Sequence, residues 1–109
     1  MQIHTFGQQL SLSQSFRDQI EQRFRIALDR FGQRPGTLQL KLRDDNGPKG
    51  GNDKVCLACL RLTGLPQLVV RARGSDWLAT LDQLAARLAT SLHRQLRRRQ
   101  QPAPVVKGE

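Results

Sequence analysis

The stretch from Ser75 to Gln100 constrains most tightly what this chain can become. Leu78, Leu81, Leu84, Ala85, Leu88, Leu92 and Leu96 recur at three- and four-residue steps, drawing one apolar stripe along a helix. A stripe that long needs a broad apolar surface to lie on, and the rest of the chain reads as that surface and its supports. Ser75 is the expected N-cap. Asp76 falls in the first turn, where a negative charge suits the positive end of the helix dipole. Opposite the stripe stand Gln83, Arg87, Thr90, Arg94 and Arg97, again four and three apart, with Arg98 and Arg99 beside the last. No acidic side chain follows Asp82 in this helix. A charged helix face is ordinarily a solvated surface, but five arginines without an acidic neighbour favour a polyanion.

The whole chain leans the same way. Its 109 residues carry a net charge of +9, which favours nucleic acid or an anionic surface as partner. Arginine far outnumbers lysine, and its planar fork suits phosphate and base stacking better than an ammonium does. The length is that of one domain, enough for a single modest core without disulfides or metal. No apolar run approaches the length that spans a bilayer, and the N-terminus lacks a signal-peptide core. The simplest reading is a cytoplasmic protein with no membrane partner.

In chain order, Gln2 to Phe6 has weak strand character, with Ile3 and Thr5 on one side, and Gly7 breaks it. Leu10 and Leu12 alternate again before Ser13, which is expected to cap a helix running to about Phe31. Phe16, Ile20, Phe24, Ala27, Leu28 and Phe31 form its apolar set, and Gly32 supplies the stop. The polar side mixes signs, through Arg17, Asp18, Glu21, Arg25, Asp29 and Arg30, with Glu21 and Arg25 as a favourable i,i+4 pair. Arg23 and Arg30, seven apart, are its best offer to an anion. After a turn at Arg34-Pro35-Gly36, Leu38, Leu40 and Leu42 alternate with Gln39, Lys41 and Arg43, the pattern of a strand with one buried face. Residues 44–54 (DDNGPKGGNDK) contain no apolar side chain and read as a loop. Val55 to Leu62 is largely apolar on both faces, which suggests a central strand or a face used by a partner. Thr63-Gly64-Leu65-Pro66 turns the chain into a last strand, Leu68 to Arg73. The expected fold is α+β, in the order β-α-β-β-β-α, with two helices on one face of a mostly antiparallel four-stranded sheet. Residues 1–100 would form the domain and 101–109, with Pro102, Pro104 and Gly108, a flexible tail.

Catalytic patterns are missing. Cys56 and Cys59 spell C-x-x-C, but residues three apart in a strand point to opposite faces, so free structural thiols are expected. His4 and His93 stand alone. The glycine-rich loop has neither the P-loop pattern nor EF-hand spacing, although Lys49 and Lys54 among its glycines could bring backbone N–H groups to a phosphate. Trp77 reads as core rather than as a stacking platform. Neither an enzyme nor a cofactor nor a small-molecule substrate is indicated.

Met1-Gln2-Ile3 with Gly7, then Leu10-Ser11-Leu12-Ser13 leading into Phe16-Arg17, resembles the start of the ribosome hibernation promoting factor and ribosome-associated translation inhibitor family. So does Ser75-Asp76-Trp77-Leu78-Ala79-Thr80-Leu81-Asp82, followed by Leu84, Arg87-Leu88 and Arg94. The likeness runs to Arg99 in the right order of elements, and residues 42–56 resemble short members with a longer loop there. It implies the β-α-β-β-β-α fold and a protein that binds the small ribosomal subunit and its rRNA in the channel for messenger and transfer RNA, silencing idle or stressed ribosomes. By the same likeness the basic positions of the second helix fall on Arg87, His93 and Arg94, continued by Arg97, Arg98 and Arg99, and those of the first on Arg23 and Arg30. Leu78 stands where the family usually has Tyr, Thr90 where it often has a basic residue, and Thr5 where it has an apolar one. The alternatives are a protein-interaction module or homodimer built on the apolar face of residues 55–62, and a free structured-RNA binder.

Overall fold

A computed structural model describes residues 1–32, 34–45 and 53–100, and side chains as far as Arg98. The elements run β1 (Gln2–Gly7), α1 (Gln14–Leu28), β2 (Gly36–Asp44), β3 (Lys54–Leu62), β4 (Leu68–Gly74) and α2 (Trp77–Gln100). The order β-α-β-β-β-α is the expected one. The sheet is mixed, in the order β1-β2-β3-β4: β1 pairs parallel with β2, and the other two pairings are antiparallel. A parallel pair needs a crossover, and α1 supplies it. The central position expected for β3 is observed.

Each element follows from its local sequence. The Ser13 hydroxyl accepts a hydrogen bond from the Phe16 N–H and caps α1 as expected. The α-helix ends at Leu28, and a short 3-10 turn, Asp29–Phe31, completes the helical stretch before Gly32 at φ 84°. The β2 ladder is longer than the leucine alternation alone marks. Asp44 pairs with Lys54 across the ladder, and their side chains form an ion pair of 2.6 Å. The expected loop therefore starts one residue later and ends one earlier. Its middle, residues 46–52, lies outside the described residues, as does the expected tail.

The core lies between the inner sheet face and the two helices. Leu38, Leu40 and Leu42 from β2, Cys56, Ala58 and Leu60 from β3 and Ala72 from β4 meet Ile20, Phe24 and Leu28 of α1. From α2 come Leu81, Leu84, Ala85, Leu88, Ala89 and Leu92. Each leucine so buried contributes about 1.5–3 kcal/mol relative to exposure. Together these side chains fix the rotation of α2 about its own axis, and with it the side presented outward. Trp77 packs partly buried against this core, with the Lys54 ammonium 5.4 Å from its ring centroid.

Candidate nucleic-acid interface

The start of α2 is locked in place by three contacts. The Asp76 carboxylate accepts from the Ala79 N–H at 2.9 Å, so Asp76 is the N-cap and the expectation for Ser75 is off by one residue. The Asp76 carbonyl takes the Thr80 N–H and also the buried Thr80 hydroxyl, at 2.9 and 2.6 Å. That hydroxyl sits so close to Gly74 that a Cβ there would collide with it. Gly74 ends β4 because only a residue without a side chain lets the strand reach the helix at this distance.

From that anchored start, the outward side of α2 carries Gln83, Ala86, Arg87, Thr90, His93, Arg94, Arg97 and Arg98, all exposed. At about 1.5 Å per residue, Arg87 to Arg98 spans roughly 16 Å. Arg94, Arg97 and Arg98 have no ion pair among the described residues. Arg87 differs: its guanidinium donates to the Arg71 carbonyl at 2.6 Å and ties α2 to the β4 edge. Beside this contact runs an open groove of about 480 Å³, lined by Val70, Arg71, Gln83, Ala86, Arg87, Thr90, Ser91 and Arg94. Cations, amides and hydroxyls in one groove offer a phosphate chain both charge and hydrogen-bond donors.

The other expected site residues are scattered. Arg99 belongs to α2 by its backbone, and Lys49 lies outside the described residues. Arg23 forms an ion pair with Asp82 at 2.5 Å, linking the two helices. Arg30 lies in the 3-10 turn with its guanidinium 4.7 Å from the Phe31 ring centroid. Lys54 is held by Asp44 at the opposite end of α2 from the arginines. The structure thus gathers Arg87, His93, Arg94, Arg97 and Arg98 on one exposed side and leaves Arg23, Arg30 and Lys54 apart, each with a local partner.

Arg17, read from sequence as one of a mixed-charge face, turns inward instead. Its guanidinium donates to the carbonyls of Thr5 and Leu12, at 2.5 and 3.4 Å, and so fastens β1 to α1. The two cysteines stand on opposite faces of β3. Cys56 is in the core, where burial pushes its thiol up to about 12. Cys59 is half-buried on the outer face and accepts from the Gln67 amide. Among the described residues no group of three His, Cys, Asp or Glu side chains is placed to hold a metal ion. No helix there is long and apolar enough to cross a membrane.

Sequence reasoning missed the cations of the sheet. On the outer face, Lys41 and Arg43 of β2, Arg61 of β3 and Arg71 and Arg73 of β4 project away from the helices. Asp45, just past β2, accepts from Arg43 at 2.6 Å and from Arg73 at 2.7 Å. The Arg43 hydrogen bond is the main cause that lowers the Asp45 carboxyl below its ordinary range. The apolar outer face expected of residues 55–62 is a single-strand stripe of Val55, Leu57 and Cys59. Val55 is buried, and Lys41 and Arg71 flank Leu57 in the ladder. The other apolar residues of β3 face the core.

No protein-family model and no curated protein matches the sequence. Among solved structures, the fold is similar to the N-terminal domain of Protein Y from Thermus thermophilus. The TM-score is 0.71 at 24% identity, covering 86% of this chain and 98% of that one. It is also similar to a ribosomal subunit interface protein from Coxiella burnetii, with TM-score 0.67, 22% identity and 86% and 96% coverage. At these identities the likeness establishes the fold.

Proposed function

We propose that this protein binds the ribosome through rRNA of the small subunit and silences translation by occupancy rather than catalysis. The observation that carries the reading is the outward side of α2, which presents Arg87, Arg94, Arg97 and Arg98 with no carboxylate after Asp82. This surface stands on a fold shared with a protein described as a ribosomal subunit interface protein, which supports the ribosome as the polyanion concerned. In the reading, the arginines neutralise rRNA phosphates while the buried stripe, the Asp76 cap and the Arg87–Arg71 contact hold the helix rigid. Selectivity for a ribosomal groove then comes from shape and backbone contacts rather than base reading. The site would be the channel used by messenger and transfer RNA, where an occupant blocks initiation without chemistry.

The test is sedimentation of the tagged protein with ribosomes and separated subunits at several salt concentrations, alongside an in vitro translation assay. Expected are co-sedimentation with small subunits and whole ribosomes, and a dose-dependent loss of translation. A protein that stays at the top of a low-salt gradient while ribosomes run normally refutes the proposal. Equal affinity for free double-stranded RNA of unrelated sequence would replace it with a general structured-RNA binder.

A further inference from the structure

We propose that the open face of the sheet is a second binding surface, and that its ligand is a single-stranded polynucleotide. The strand register sets the argument. Phe6 of β1 pairs with Lys41 of β2, Lys41 with Leu57 of β3, and Leu57 with Arg71 of β4. With strands about 4.8 Å apart, this row of ring, cation, apolar side chain and cation crosses the sheet in roughly 14 Å. The next row toward one end is His4, Gln39, Cys59 and Val69, and beyond it lies Arg61 opposite Thr37. Toward the other end lie Arg43, Val55 and Arg73.

Two independent features mark this face. Of the large apolar side chains exposed among the described residues, Phe6, Ile26 and Val69, two lie here, at 49% and 56% exposure. The outward strand positions also carry five cations and no carboxylate. Asp45 at one end engages Arg43 and Arg73, whereas Lys41, Arg61 and Arg71 have no ion pair among the described residues. A base needs an aromatic or apolar platform, and its phosphate needs a cation within one residue's reach. The row from Phe6 to Arg71 alternates the two. A duplex keeps its bases stacked and could use only the cations, so the exposed ring points to a single strand. A second copy of this chain fits poorly, because two such faces brought together would oppose cations, and Asp45 at one end is already engaged by Arg43 and Arg73. Arg71 also borders the groove beside α2, so this face and the α2 surface meet at the β4 edge.

The proposal does not depend on the ribosome reading, and its assay contains no ribosomes. The probes are fluorescein-labelled oligouridylate and oligodeoxythymidylate of about 12 nucleotides, followed by anisotropy across a salt series, with a duplex RNA of equal length as control. Both single strands are expected to bind more tightly than the duplex. F6A should weaken them about tenfold and F6Y should restore most of the loss. K41Q with R71Q should flatten the salt slope by about 1.4, at roughly 0.7 per phosphate contact with a single strand. D45N should tighten binding, since it removes the carboxylate that competes for Arg43. Thermal melting checks the fold, and the varied side chains lie outside the core cluster. Single-strand affinity unchanged by F6A and by K41Q/R71Q overturns the proposal. So does a preference for duplex, or an oligomer in sedimentation equilibrium that F6A dissolves.

Discussion

Replacing Arg94, Arg97 and Arg98 together with glutamine separates the α2 surface from the chain's overall charge. These side chains are exposed and form no ion pair among the described residues, so their loss should move stability by no more than about 0.5 kcal/mol each. If each meets an rRNA phosphate, the slope of log affinity against log salt should flatten by about 0.7–0.9 per residue, or roughly 2–3 in all. Between about 50 and 200 mM salt, wild-type affinity should then fall about 20- to 40-fold further than the variant's. Adding R87Q is a different perturbation, because Arg87 also holds the Arg71 carbonyl. Its removal should cost about 0.5–1.5 kcal/mol, read as a fall in Tm of several degrees for a domain of this size. The control is R25Q with R34Q, two exposed arginines that do not belong to α2. Arg17 is unsuitable because it fastens β1. The assay is ribosome pelleting at four salt concentrations, with melting curves beside it. Equal flattening per charge in both sets would show that net charge alone matters. No flattening in the α2 set would refute the assignment of this helix.

Three further outcomes follow from the fold. D76A removes the α2 cap and should cost about 0.5–2 kcal/mol by chemical denaturation, whereas S75A should cost far less. G74A should destabilise clearly, and T80A should relieve part of that loss because the collision is with the Thr80 hydroxyl. A double-mutant cycle by thermal melting reads the coupling, and strict additivity would contradict it. The Cys56 thiol, raised from 9.0 to about 12 by burial, favours the folded state fully below about pH 9. That contribution is lost as pH rises toward 12, when the unfolded chain gives up the proton first, so C56A should show a shallower alkaline fall in Tm.

The elements themselves were legible because their signals are local. The period of the leucines in α2, the alternation at Leu38, Leu40 and Leu42, and the Ser13 cap depend on neighbours a few residues away. Element order then followed from the spacing of turns. Boundaries were less legible: Ser75 and Asp76 are equally good caps by residue type, and it is the Asp76 carboxylate that accepts from the Ala79 N–H. Arg17 illustrates a second kind of failure. Charge pattern placed it on a solvated face, but the Thr5 carbonyl that takes its hydrogen bond is twelve residues away.

The candidate surface divides along the same line. By itself the sequence determined that α2 has a basic side, since one helix carries both the buried stripe and the arginines opposite. It did not reveal that Arg23 is taken by Asp82, a contact across 59 residues. Nor could it assemble Phe6, Lys41, Leu57 and Arg71 into one row. Each strand's alternation shows which side chains share a face of that strand. Only the register between strands decides which of them become neighbours, and register is set by how the inner leucines and the two helices pack together.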